Sequence, residues 1–102
     1  MDEYALVYSN AARQDLRAIA AFMVGGGAST ESARRYIERI EAICKNLALM
    51  PERGKARPDI LPGLRIVTHA RRTAIAYTVA DRSIMILRVF HAGQDSEALL
   101  KP

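Results

Sequence analysis

The apolar residues of this chain change period once, and that change fixes the class of fold open to it. Between residues 12 and 47 they recur every three or four positions, the spacing of one face of a helix. After residue 63 they crowd into three short runs of β-branched and aromatic residues, as strands do. Ala12, Leu16, Ile19 and Met23 form the first helical stripe, opened by Ser9 and Asn10 as cap candidates. Gly25-Gly26-Gly27 ends it, because glycine holds a helix poorly and turns easily through positive φ. Ser29 and Thr30 can cap a second helix carrying Ala33, Ile37, Ile40, Cys44 and Leu47, with Glu31 in its first turn and Pro51 beyond its end. Two amphipathic helices joined by a glycine turn predict an antiparallel hairpin.

Ahead of the hairpin, Tyr4–Tyr8 suits a short strand. Behind it, residues 51–63 hold Pro51, Pro58, Pro62, Gly54 and Gly63 and read as a stiff loop. Leu64–Ala70, Thr73–Val79 and Ser83–Phe90 then predict a three-stranded meander, with Arg71-Arg72 and Asp81-Arg82 as turns. Pairing across a two-residue Arg71-Arg72 turn sets Leu64, Ile66 and Thr68 on one face with Val79, Tyr77 and Ile75, leaving a small, polar opposite face. The last run is apolar on both faces, as a central strand is. The same parity turns Arg88 toward the helices, which requires either an acidic partner or a one-residue register shift at the Asp81-Arg82 turn. The expected architecture is one α+β domain, residues 1–102: an N-terminal strand and a two-helix hairpin packed on one face of an antiparallel sheet.

Charge is concentrated. Residues 53–72 contain six basic residues (Arg53, Lys55, Arg57, Arg65, Arg71, Arg72) and one acid, whereas the rest of the chain holds nine basic and ten acidic residues. The +4 balance of the whole therefore lies in one window that also contains His69. Arginine in it favours planar, two-pronged recognition of carboxylate or phosphate. An acidic protein partner fits as well as a phosphate backbone, and six aromatic residues in the chain are few for stacking single-stranded bases.

The remaining chemistry is mostly exclusion. A lone Cys44 in a helical stripe reads as a buried structural thiol in a reducing, cytoplasmic setting, in preference to a nucleophile paired with His91. Two histidines 22 residues apart make no metal site, no glycine-rich phosphate loop is present, and no cofactor is implied. No apolar run approaches the roughly 20 residues that span a bilayer, so no membrane association is expected. His91, with Arg65, Arg71 and Arg88, could serve metal-free RNA cleavage, where an acid or base and cationic groups stabilise phosphorane-like charge.

The ordered set of features resembles a known family. A strand ending in Ser9 leads into Ala11, Ala12, Asp15, Leu16 and Ile19; Ala33, Tyr36 and Ile40 follow on a second helix, and Pro51–Gly54 after it. Pro62-Gly63-Leu64-Arg65, Ile75-Ala76-Tyr77, Leu87-Arg88-Val89-Phe90-His91 and Asp95 complete it. Together they resemble the ParE branch of the RelE/ParE toxins of bacterial type II toxin–antitoxin systems.

The resemblance implies the fold predicted above. It also implies a cognate antitoxin of the ribbon-helix-helix, ParD-like kind, which alone contacts DNA. The target implied is DNA gyrase, bound through Arg65, His69, Arg71, Arg72, Arg88 and His91. The antitoxin is expected over Phe22, Tyr36, Ile43, Arg57, Arg71 and Arg72. The RelE branch implies a different activity, ribosome-dependent mRNA cleavage, and His91 stands roughly where nucleases of that branch place a catalytic side chain.

Overall fold

The computed structural model describes residues 3–91 and residue 100; Ala92, Gly93, Gln94 and Asp95, the end of the sequence pattern, lie outside the described residues. Strand β1 (Ala5–Tyr8) leads directly into helix α1 (Asn10–Gly25), and helix α2 (Thr30–Leu47) returns beside it. Ser9 caps α1 by accepting a 2.9 Å hydrogen bond from the Ala12 N–H, and Ser29 caps α2 in the same way through Ser32. Glycines close α1, with Gly27 at φ 105° turning the chain into α2.

A two-residue strand, β2 (Lys55–Ala56), lies inside the proline-rich loop. It precedes β3 (Leu64–His69), β4 (Thr73–Ala80) and β5 (Ser83–His91). The sheet order is β1-β5-β4-β3-β2. The meander β3-β4-β5 is antiparallel, as its sequence predicts, and β1 joins it in parallel along β5, making the whole sheet mixed. β5 is therefore interior, which accounts for its apolar residues on both faces.

The register of β3 differs from the expectation. Arg65 stands opposite Tyr77 and Val67 opposite Ile75, one residue away from the pairing that a two-residue turn would give. The turn takes in Ala70, Arg71 and Arg72, with Ala70 at φ 52° and Arg71 at φ 58°. A one-residue slip exchanges the faces of a strand. Arg65, Val67 and His69 thus point toward the helices, whereas Leu64, Ile66 and Thr68 point away. The second turn, Asp81-Arg82, has two residues, both at positive φ, the geometry whose twist matches a hairpin.

Apolar clusters cover both faces of the sheet. Leu16, Ile19, Ile40, Cys44 and Leu47 of the helices pack on Val67, Ile75, Tyr77, Ile84, Ile86 and Val89. Each fully buried side chain of this kind contributes about 1.5–3 kcal/mol. The far face is more apolar than expected: Leu64, Ala76 and Phe90 pack there with Ile60 and Leu100. Cys44 is fully buried, and burial pushes its thiol up to about 11.

Candidate functional site

β5 carries a bulge that decides what its far end presents. Tyr77 pairs with Ile86 and Ala76 with Arg88, so Leu87 is an extra residue between them. Before the bulge, Ile84 and Ile86 face the helices; after it, Val89 and His91 do. Without the extra residue, His91 would face the opposite side. β1 ends at Tyr8, level with Ile86, and the start of α1 takes over the edge of β5 from there. The Ser9 N–H donates to the Ile86 carbonyl at 2.9 Å, and the Ser9 hydroxyl donates to the carbonyl of the bulged Leu87 at 2.7 Å. One turn further, the Asp15 carboxylate accepts the Val89 N–H at 2.8 Å.

That carboxylate also answers the question posed by Arg88. Nε and Nη2 of Arg88 donate to the two Asp15 oxygens at 2.8 and 2.9 Å, and the guanidinium lies 5.3 Å from the centre of the Phe90 ring. Of the two alternatives foreseen in the sequence, the acidic partner exists and the shift at the Asp81-Arg82 turn does not occur; the parity changes instead within the strand, at Leu87.

Downstream of the bulge, one rung of the sheet joins three strands: His91 pairs with Thr73, and Thr73 pairs with His69. Tyr36 of α2 lies above this rung. Its hydroxyl is 2.5 Å from the hydroxyl of the buried Thr73, and its ring centre is 5.9 Å from that of His69 and 6.3 Å from that of His91. Phe22, near the end of α1, meets His91 edge-on at 5.5 Å yet remains 68% exposed. Arg71 and Arg72 extend from the adjoining turn and are exposed. Four rings from two helices and two strands thus meet beside a pair of exposed turn arginines. The resemblance assigns both aromatics to the antitoxin and both histidines to gyrase. The bulge and the β3 register bring all four together, and neither is visible in residue spacing.

The other basic residues are elsewhere. Arg65 Nη1 donates to the backbone carbonyls of Gly54 at 2.7 Å and Glu52 at 3.2 Å. Its cross-strand neighbour Tyr77 holds the same loop: the Tyr77 hydroxyl accepts the Gly54 N–H and donates to the Pro51 carbonyl, both at 2.8 Å. Arg57 makes a two-pronged ion pair with Asp59. Arg65 lies near the start of β3, and Arg71 lies in the turn beyond its last residue, His69; the four strand steps from Arg65 to His69 alone span about 13 Å, so the basic window reaches two ends of the sheet. Ile43 is half-buried and packs on the helix-side core. Sequence reasoning missed Asp15 as the partner of Arg88 and Thr73 as the partner of Tyr36. An unpaired inward arginine was the signal available for the first; none existed for the second. No group of three or more potential metal ligands occurs among the described residues.

The family model described as "ParE toxin of type II toxin-antitoxin system, parDE" matches residues 6–96. The chain belongs to the ParE toxin family. Among solved structures, it is similar to a chain of the chromosomal ParDE toxin–antitoxin system of P. aeruginosa. The identity is 28% and the TM-score 0.75, covering 87% of this chain and 96% of that one. It shares its fold with a chain of the RelBE2 toxin–antitoxin complex of Mycobacterium tuberculosis, with 21% identity, a TM-score of 0.69, and coverage of 92% and 97%. No curated protein sequence matches it. The elements that carry the four rings, α1, α2, β3 and β5, all fall within the residues matched to ParE.

Proposed function

We propose that this ParE-family chain acts by binding: it inhibits DNA gyrase and is neutralised by a ribbon-helix-helix antitoxin of the ParD kind. Membership of the ParE family over residues 6–96 carries the reading. The distribution of the arginines supports it. Arg65 and Arg88 spend their donors on loop carbonyls and on Asp15, which leaves the proposed nuclease set of Arg65, Arg71, Arg88 and His91 dispersed.

The antitoxin segment lies over Phe22, Tyr36, His69 and His91, with its acids against Arg71 and Arg72. An exposed ring flanked by arginines suits a segment of mixed apolar and acidic character. Ile43 and Arg57 contribute less, since one packs inward and the other already holds an acid. DNA is contacted only through the antitoxin. A cytoplasmic setting follows from that target, and no helix among the described residues is long and apolar enough to cross a membrane.

A second reading, ribosome-dependent mRNA cleavage, draws on one observation: His69 and His91 share a rung beneath the Tyr36 hydroxyl. Expression of the chain alone in a bacterium separates the two. Gyrase inhibition gives a DNA-damage response and filamentation, whereas cleavage stops translation and leaves cut mRNA. Normal growth would remove both. For the antitoxin, Phe22→Asp and the Arg71→Glu/Arg72→Glu pair should each weaken the complex, and unchanged affinity in both would refute the placement.

A further inference from the structure

The edge of the sheet opposite the basic window is left open. β1 is an outer strand, bonded on one side only, to β5. The N–H groups of Ala5 and Ser9 point inward, to the carbonyls of Arg82 and Ile86. By the alternation of a strand, the backbone groups of Leu6 and Tyr8 point outward. The outward N–H of Tyr4 is already taken by the Ala48 carbonyl at the end of α2, at 3.1 Å. Two residues therefore offer a complete set of open donors and acceptors. The strand itself carries no guard: Tyr4–Tyr8 has no proline, glycine or charge, the devices that usually blunt an edge strand.

The side chains at this edge are apolar as well. Leu6 and Tyr8 pack inward on the helix-side core, which leaves Val7 on the opposite face, 41% exposed. Leu49 and Met50 follow directly on Ala48 and are 58% and 61% exposed. Among the described residues, three of the five exposed large apolar side chains thus belong to one edge; the other two, Phe22 and Val24, belong to the end of α1.

We propose that a second copy of this chain occupies the edge, its β1 pairing antiparallel with the first across a two-fold axis. The available groups select the register. Pairing Leu6 with Leu6 would need Tyr4, whose N–H is taken, and pairing Tyr8 with Tyr8 would draw Asn10 out of α1. Pairing Leu6 with Tyr8 of the other copy, and Tyr8 with its Leu6, satisfies every open group on both strands. The axis then passes between the two Val7 residues, which form a non-hydrogen-bonded pair with Cα atoms about 4.5 Å apart. Each covers the other's exposed methyl groups, and the two sheets become one of ten strands. The surface is self-complementary, as a two-fold interface must be.

Sedimentation of the purified chain over a range of concentrations tests the proposal. The wild type should dimerise. Val7→Lys, which places a charge on an exposed position outside the core, should be monomeric with an unchanged circular dichroism spectrum. Under mild oxidation, Val7→Cys should give a disulfide-linked dimer, while Thr68→Cys, exposed on β3 at the far side of the sheet, should not; the native Cys44 is buried and does not interfere. A wild type monomeric throughout, a dimer that survives Val7→Lys, or equal cross-linking through Thr68→Cys would each overturn the pairing. The outcome is independent of whether the chain inhibits gyrase.

Discussion

Asp15 and Arg88, 73 positions apart, meet in two hydrogen bonds of 2.8 and 2.9 Å, and the same carboxylate accepts the Val89 N–H. The pair closes the edge of β5 at the point where β1 has ended. Both side chains are mostly enclosed, 13% and 26% exposed. Asp15→Asn keeps the shape but loses the charge pairing and one acceptor oxygen. It should cost about 2 kcal/mol in urea unfolding, in the range for hydrogen bonds to charged groups. Because the pair also steadies the strand leading to His91, the His91 imidazole resonances should shift in the folded variant; unchanged resonances would refute that coupling.

Gly54 has a steric reason to be glycine. A Cβ there would lie 2.6 Å from the Tyr77 hydroxyl oxygen and 2.8 Å from its ring, and Tyr77 is fully buried. Gly54→Ala should destabilise by about 1–3 kcal/mol through overpacking. Tyr77→Phe removes both loop hydrogen bonds without adding bulk and should cost a similar amount. Since the two changes act on one contact, the double variant should fall short of their sum, which a double-mutant cycle would measure.

Ala70 occupies the left-handed region at φ 52°, where a side chain is strained. Ala70→Gly should raise stability by about 0.5–1 kcal/mol, seen as a higher thermal midpoint, because only glycine enters this region freely.

Stability should fall in alkali. Burial lifts the Cys44 thiol from its ordinary value near 9 to about 11, and it also raises the Tyr8 hydroxyl. Above pH 9 the unfolded chain releases the thiol proton that the folded chain keeps, so the free energy of unfolding decreases as pH rises toward 11. The urea midpoint should decline over that interval, and Cys44→Ala should show a shallower decline from a lower starting stability.

What could be read from the sequence was what local chemistry decides. Both helix caps, the glycine turn and the three meander strands follow from Ser9, Ser29, Gly25–Gly27 and the change of apolar period. The faces of β3 did not, because its register depends on Ala70 and Arg71 adopting left-handed conformations that neither residue type signals. β2 escaped notice since two residues between prolines carry no periodicity. The position of His91 depends on one extra residue, Leu87, whose carbonyl is answered by a side chain 78 positions away. The ring cluster was accordingly legible as residues and not as a cluster.

The parallel pairing of β1 with β5 joins the first of the described strands to the last. During synthesis Ala5–Tyr8 emerges early and waits, with no neighbour to accept its hydrogen bonds, until Ser83–Ile86 has been added. The helical hairpin can form in the meantime from local contacts, but the sheet cannot close around it. The rung that places His69, Thr73 and His91 together is completed later still, by the final residue of β5. A chain that stops before that point lacks the rung on which the four rings gather, so the cluster exists only once β5 is complete.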